Sequence, residues 1–179
     1  MWRAGELIHL NSCYAPTVDD ELIPEHPIAA FENGHQHQIP LLIGTNSDEA
    51  SFGKFLFQRQ SSRERAALRL LASFDPQHAP EVVAAYDGAV AREDFAHLLA
   101  DALFWAPSTR IATAHAKVAP TWMYRFDFAS AVLKWLGLGA MHSMELGNVF
   151  GDPYSSRASF LTNWGSVSYT HLRAHETGR

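Results

Sequence analysis

The sequence predicts an α/β domain, on three observations. Helical and strand-like patterns alternate along the chain instead of being segregated into separate regions. The run Ile39-Pro40-Leu41-Leu42-Ile43 is nearly continuously apolar, which suits a parallel strand covered on both faces. A second strand-like segment, rich in aromatics, follows the longest helical stretch. At 179 residues, 47% of them hydrophobic and 18% charged, the chain is long enough for one domain with a real core. It is short for a complete doubly wound sheet of about eight strands with helices on both faces.

The elements follow from local chemistry. Prolines at 16, 24, 27 and 40, with Gly34, break any long helix in residues 1–40. Pro27 to Asn33 is expected to form a short helix closed by Gly34, because glycine tolerates the left-handed conformation that ends helices. A strand follows from Gln38 to Thr45. Asn46-Ser47-Asp48 then supplies capping side chains for a helix from about Asp48 to Gln58, with Phe52, Phe55 and Leu56 on one stripe.

Ser61 or Ser62 caps the next helix, whose Ala67, Leu70, Leu71 and Phe74 recur at helical spacing until Pro76 ends it. Pro80 opens a short helix through Tyr86, stopped by Asp87-Gly88. Ala91 to about Val118 is the longest helical stretch, with Phe95, Leu98, Leu99, Ala102 and Ile111 as its buried face and a kink at Pro107. Thr121 to Phe128 forms the second strand. Ala129 to Ala140 is a loop or short helix in which Trp135 and Leu136 read as core residues, with the lining of an apolar pocket as the functional alternative.

Composition excludes several classes of function. The net charge of −5, with no cluster of Lys and Arg, argues against nucleic acid as a partner. No apolar run approaches the roughly 18 residues of a membrane span. The N-terminus lacks the charged-then-apolar build of a signal peptide, which leaves cytoplasmic and secreted locations both open. Cys13, the single cysteine, excludes an intrachain disulfide and has no base visibly poised beside it. His35-Gln36-His37 is the tightest histidine pair; without a third ligand nearby it reads as solvated loop histidines, and no metal site is assigned.

Two loops carry the chemistry: Gly44-Thr45-Asn46-Ser47-Asp48-Glu49 after the first strand, and Gly139-Ala140-Met141-His142-Ser143-Met144-Glu145 after the second. A serine hydroxyl is a poor nucleophile at neutral pH and needs an imidazole to take its proton. The imidazole in turn needs a carboxylate on its other nitrogen to fix the tautomer. Acid first and histidine later is the chain order of an α/β-hydrolase triad, in which the serine precedes both. No Gly-x-Ser-x-Gly occurs in these 179 residues. Asp48 is the rival of Glu49 as the acid and reads as a helix cap or ion-pair member; Glu145, three residues after His142, could face it on a helical turn.

In five pieces the chain resembles the C-terminal part of a type-B carboxylesterase, the family of para-nitrobenzyl esterases and cholinesterases. These are Pro16 to Asp20, Ile39 to Ser51, Asp101 to Pro107, Tyr124-Arg125-Phe126 and His142 to Gly151, in the family's order. The resemblance implies the C-terminal part of an α/β-hydrolase fold, an incomplete and mostly parallel sheet with flanking helices. It places the triad acid on Glu49 and the triad histidine on His142. It implies a small-molecule carboxylic ester as substrate and no cofactor. Position 50 is Ala where the family usually has Gly, which costs little if the backbone there has negative φ.

The same resemblance assigns the nucleophile and the glycine-rich oxyanion loop to upstream sequence. A non-catalytic adhesion or binding domain is the alternative, since relatives of that kind have often lost triad residues; keeping both Glu49 and His142 favours the enzyme. Residues 1–166 are therefore expected to be the C-terminal portion of a carboxylesterase domain. Residues 167–179, beginning Val167-Ser168-Tyr169-Thr170-His171, resemble a translated sequencing adapter and read as a non-native tail.

Overall fold

The structure, a computed structural model, describes residues 18–150, apart from the side chains of residues 147 and 148. Cys13 and the tail from 167 to 179 lie outside the described residues. The described residues divide into two compact units, residues 18–44 with 53–124, and residues 45–52 with 125–150.

The first unit opens with helix α1 (Pro27–Asn33), bounded as expected. The His26 ring accepts from the Ile28 N–H at its start, and Gly34 closes it with a φ of 78°. Strand β1 (Leu41–Asn46) begins later than the apolar pattern suggests. Pro40 has no N–H to donate, so pairing starts where the Leu41 N–H donates to the Pro120 carbonyl at 3.0 Å. At the other end the Ser47 N–H donates to the Phe126 carbonyl at 2.9 Å. The partner advances in step with β1, so β1 and β2 (Thr121–Phe126) run parallel, and they form a two-stranded sheet. Gly44 lies directly beneath the Tyr124 ring, where any Cβ would overlap it.

The expectation that β1 is covered on both faces does not hold among the described residues. Leu42 is 69% exposed, as is 57% of Trp122 on β2. The pair presents an apolar face that no described residue covers.

Most of the unit is helical: α2 (Gly53–Leu56), α3 (Gln60–Ala72), α4 (Ala79–Ala85), a 3-10 turn at Asp87–Ala89, α5 (Arg92–Ala100) and α6 (Ala106–His115). Neither Ser61 nor Ser62 caps α3, because Arg59 occupies the cap position without a side-chain bond. The organising residue there is Arg63, buried and donating to the carbonyls of Phe57, Gln58 and Val90. Its guanidinium, taken out of water, is satisfied by these carbonyls.

Between α5 and α6 the chain does not break at Pro107. Residues Asp101–Trp105 form a π segment, and the Ala106 N–H bonds the Asp101 carbonyl. Pro107 lacks the N–H that would serve the Leu103 carbonyl, so the ladder widens by one residue instead of stopping. Phe95, Leu98, Leu99 and Leu70 are buried with a set of alanines, and Phe57 meets Phe95 edge-on at 5.6 Å. Ala102 and Ile111, expected on the buried face, are half-buried.

In the second unit, the Ser130 side chain accepts from the Leu133 N–H and caps α7 (Ala131–Trp135). Leu133, Ala129, Ala140 and Ala50 form its small core. Trp135 does not join that core, being 84% exposed. A short helix, α8 (Leu146–Val149), follows. Among the described residues no helix is long and apolar enough to cross a membrane.

The Tyr86 hydroxyl donates to an Asp101 carboxylate oxygen at 2.5 Å, tying the end of α4 to the π segment. Burial first, and then this bond, push its phenol up to about 12. The folded value lies above the unfolded value of about 10, so the link contributes fully below pH ~10 and fades as pH rises through the folded value. Phenolate absorbance should show a titration step near pH 12 that Tyr86→Phe abolishes. The same substitution should cost about 1 kcal/mol in denaturant unfolding at neutral pH, the net worth of one hydrogen bond; an unchanged midpoint would contradict this role.

Candidate active site

Glu49 and His142, the two residues singled out from sequence, meet in the second unit. The carboxylate Oε2 lies 2.7 Å from the imidazole Nδ1, and the His142 backbone N–H donates to the Glu49 carbonyl at 3.3 Å. The Glu49 side chain is 8% exposed and that of His142 is 53% exposed. Against a carboxylate, which accepts, Nδ1 is the donor of this bond. A nearly buried carboxylate thus holds a half-exposed imidazole by its Nδ1 edge.

Backbone geometry brings the pair together. In a parallel pair, the loops that follow both strands emerge at the same end of the sheet. Residues 47–52 form turns, with a helix only from Gly53, so the helix expected from Asp48 to Gln58 is confined to α2. The acidic side chains that would have sat in its first turn are engaged with the histidine loop. Ala50 is fully buried, and its φ is not in the left-handed region, so alanine in place of the family's glycine carries no backbone strain.

Asp48, the rival acid, does not face His142. Its Oδ2 accepts from the Ala140 N–H at 3.0 Å and from the Ser47 hydroxyl at 2.7 Å. Its own N–H donates to the Ala140 carbonyl at 3.1 Å. Asp48 is thus a clamp on the histidine loop and caps no helix. The hydrogen bond to Asp127 raises the Arg125 guanidinium above its ordinary value, and the charge of Asp48 adds a smaller contribution. Ser143, directly after the base, adopts a φ of 66°, a turn that non-glycine residues seldom make and that is concentrated at functional sites.

One residue of the site, Asn46, was not assigned its role from sequence. Asn46, read as a helix-capping residue, donates its backbone N–H to Glu49 Oε1 at 2.8 Å. Its carboxamide donates to the Met141 carbonyl at 2.9 Å and to Glu145 Oε2 at 2.5 Å. Asn46 is 5% exposed. Glu145 therefore enters the site through Asn46. Among the described residues no three His, Cys, Asp or Glu side chains gather as metal ligands would.

Gly139 has a φ of 60°, and a Cβ there would overlap the Asp48 carboxylate. Gly139→Ala should therefore cost about 1–3 kcal/mol through left-handed strain, and more as the clamp is displaced. Denaturant unfolding checks this; a loss below about 0.5 kcal/mol, the usual surface effect, would mean that the clamp is not held as described.

Known proteins share this arrangement of chain. The carboxylesterase family model matches residues 8–170. The para-nitrobenzyl esterase of Bacillus subtilis is 34% identical over 142 residues, covering 78% of this chain and 28% of that protein. The pyrethroid hydrolase Ces2a of Mus musculus is 26% identical over 169 residues, covering 82% and 30%. A solved PNB esterase superposes with a TM-score of 0.61 at 34% identity, over 76% of this chain and 27% of that one. The chain thus spans under a third of the length of these relatives, and its elements are part of an α/β-hydrolase fold. With the match extending over most of its residues, the chain belongs to the type-B carboxylesterase family.

Proposed function

We propose that the protein is a serine carboxylic-ester hydrolase in which Glu49 and His142 are the acid and base of a Ser-His-Glu triad. The serine and the oxyanion donors come from sequence outside these 179 residues. One observation carries the reading above the rest: the 2.7 Å contact between a nearly buried Glu49 carboxylate and the Nδ1 of a half-exposed His142.

In this reading the serine hydroxyl gives its proton to His142 Nε2 as its oxygen attacks the ester carbonyl carbon. Glu49 stays a carboxylate and stabilises the imidazolium. The imidazolium then protonates the departing alkoxide, and the acyl group is left on serine. Water repeats the sequence through the same Nε2, releasing the acid and restoring the hydroxyl.

In the full-length protein, Glu49→Gln should lower kcat on a p-nitrophenyl ester by about 10⁴, as loss of the orienting acid does in a serine protease. His142→Ala should lower it by about 10⁶ with KM little changed. Retention of a tenth or more of the activity by either variant would overturn the assignment. The chain made alone should show no hydrolysis and limited solubility, given the exposed Leu42, Trp122 and Trp135. Hydrolysis by the chain alone, blocked by His142→Ala, would mean that other residues do the chemistry. Truncation after Ser166 should leave the unfolding midpoint unmoved, in keeping with residues 167–179 being no part of the domain; a shift above about 0.5 kcal/mol would count against that.

A further inference from the structure

We propose that Asn46 is the positioning residue that holds the acid and the base of this site in register, an inference that rests on the ester-hydrolase reading above. As the last residue of β1, Asn46 has its backbone fixed by the parallel ladder, immediately before Ser47 bonds Phe126. From that position it reaches both partners. Its N–H takes Glu49 Oε1, which stops the carboxylate from rotating and leaves Oε2 turned to His142. Its carboxamide spends both N–H donors on the histidine loop, one on the carbonyl of Met141 just before the base and one on Glu145 three residues after it.

The residue type is what this task demands. Both carboxamide partners are oxygen acceptors, so the Nδ2 end must face them. Aspartate offers no donor when ionised, and serine offers one. With Asn46 nearly buried, loss of its donors leaves a carbonyl and a carboxylate oxygen short of partners at the point where the base is anchored. The consequence is displacement of the ring. A displacement of about 1 Å at a catalytic group can cost on the order of 10² in rate. Asn46 itself touches no substrate; it acts through Glu49 and His142.

The test compares kcat, KM and unfolding midpoint for Asn46→Ala, Asn46→Asp, Asn46→Ser and the pair Asn46→Asp with Glu145→Gln in the full-length protein. Asn46→Ala and Asn46→Asp should lower kcat about 10- to 100-fold with KM within about threefold. Asn46→Ser, smaller and keeping one donor, should fall between these and the parent, and serves where the others fail to fold. In the double variant the new amide can donate to the new carboxylate, so the bond returns with its direction reversed. Its kcat should exceed that of Asn46→Asp alone by about tenfold, a rescue that packing alone does not predict. Variants within threefold of the parent, or kcat losses that follow the midpoint with no rescue by the pair, would overturn the proposal. Glu49→Gln and His142→Ala run beside them: if these abolish activity while the Asn46 variants do not, the positioning role alone fails, and if they leave activity intact the ester-hydrolase reading fails and takes the proposal with it.

Discussion

The grip of the acid loop on the histidine loop is the constraint on which the second unit depends. Across it run the Glu49–His142 side-chain contact, the Asp48–Ala140 backbone and side-chain bonds, and the two carboxamide bonds of Asn46. Single hydrogen bonds are worth about 1 kcal/mol net, so no one of them fixes the geometry. Their arrangement does. Asn46, Asp48 and Glu49 each engage a different part of residues 140–145, which leaves little freedom for either loop to slide. An imidazole bracketed in this way has its orientation set by the fold, and under the proposed ester-hydrolase reading that preorganisation is where catalytic advantage would lie.

The parallel strand pair makes the grip possible. Glu49 and His142 are 93 residues apart in the chain, and the helices between them return the polypeptide so that β2 runs alongside β1 in the same direction. Both following loops then emerge at one end of the sheet, the location where α/β folds place their chemistry. Small residues permit the close approach: Gly44 admits the Tyr124 ring over β1, and Gly139 admits the Asp48 carboxylate. The π segment at Asp101–Trp105 solves a separate problem, keeping the backbone helical up to α6, whose second residue is Pro107.

Much of this was legible in the sequence because the signals are local. The α1 helix with its Gly34 stop, the two strands, and the helical stretch through residue 107 follow from periodicity, proline and glycine. That Glu49 and His142 would meet was readable from chain order and motif. What local chemistry could not reveal was how polar side chains are shared among distant segments. Asn46-Ser47-Asp48 looks like a capping sequence, since those side chains favour helix starts. Partners about 95 residues away claim two of them instead, and the helix starts late. Nor did the sequence reveal that Arg63 would be buried with its guanidinium on carbonyls of two separate segments. Trp135 and Leu42 read as buried because they are apolar, but burial also requires a covering element, and none is present among the described residues.

The central claim is that the Glu49 carboxylate holds the His142 ring through Nδ1. Its most direct measurement is the ¹⁵N-coupled imidazole proton spectrum of the full-length protein. A far-downfield Nδ1 proton should be present, lost in His142→Ala and either lost or moved strongly upfield in Glu49→Gln. A His142 Nδ1 signal that is unchanged in Glu49→Gln would contradict the account, because the ring would then be oriented by something other than that carboxylate.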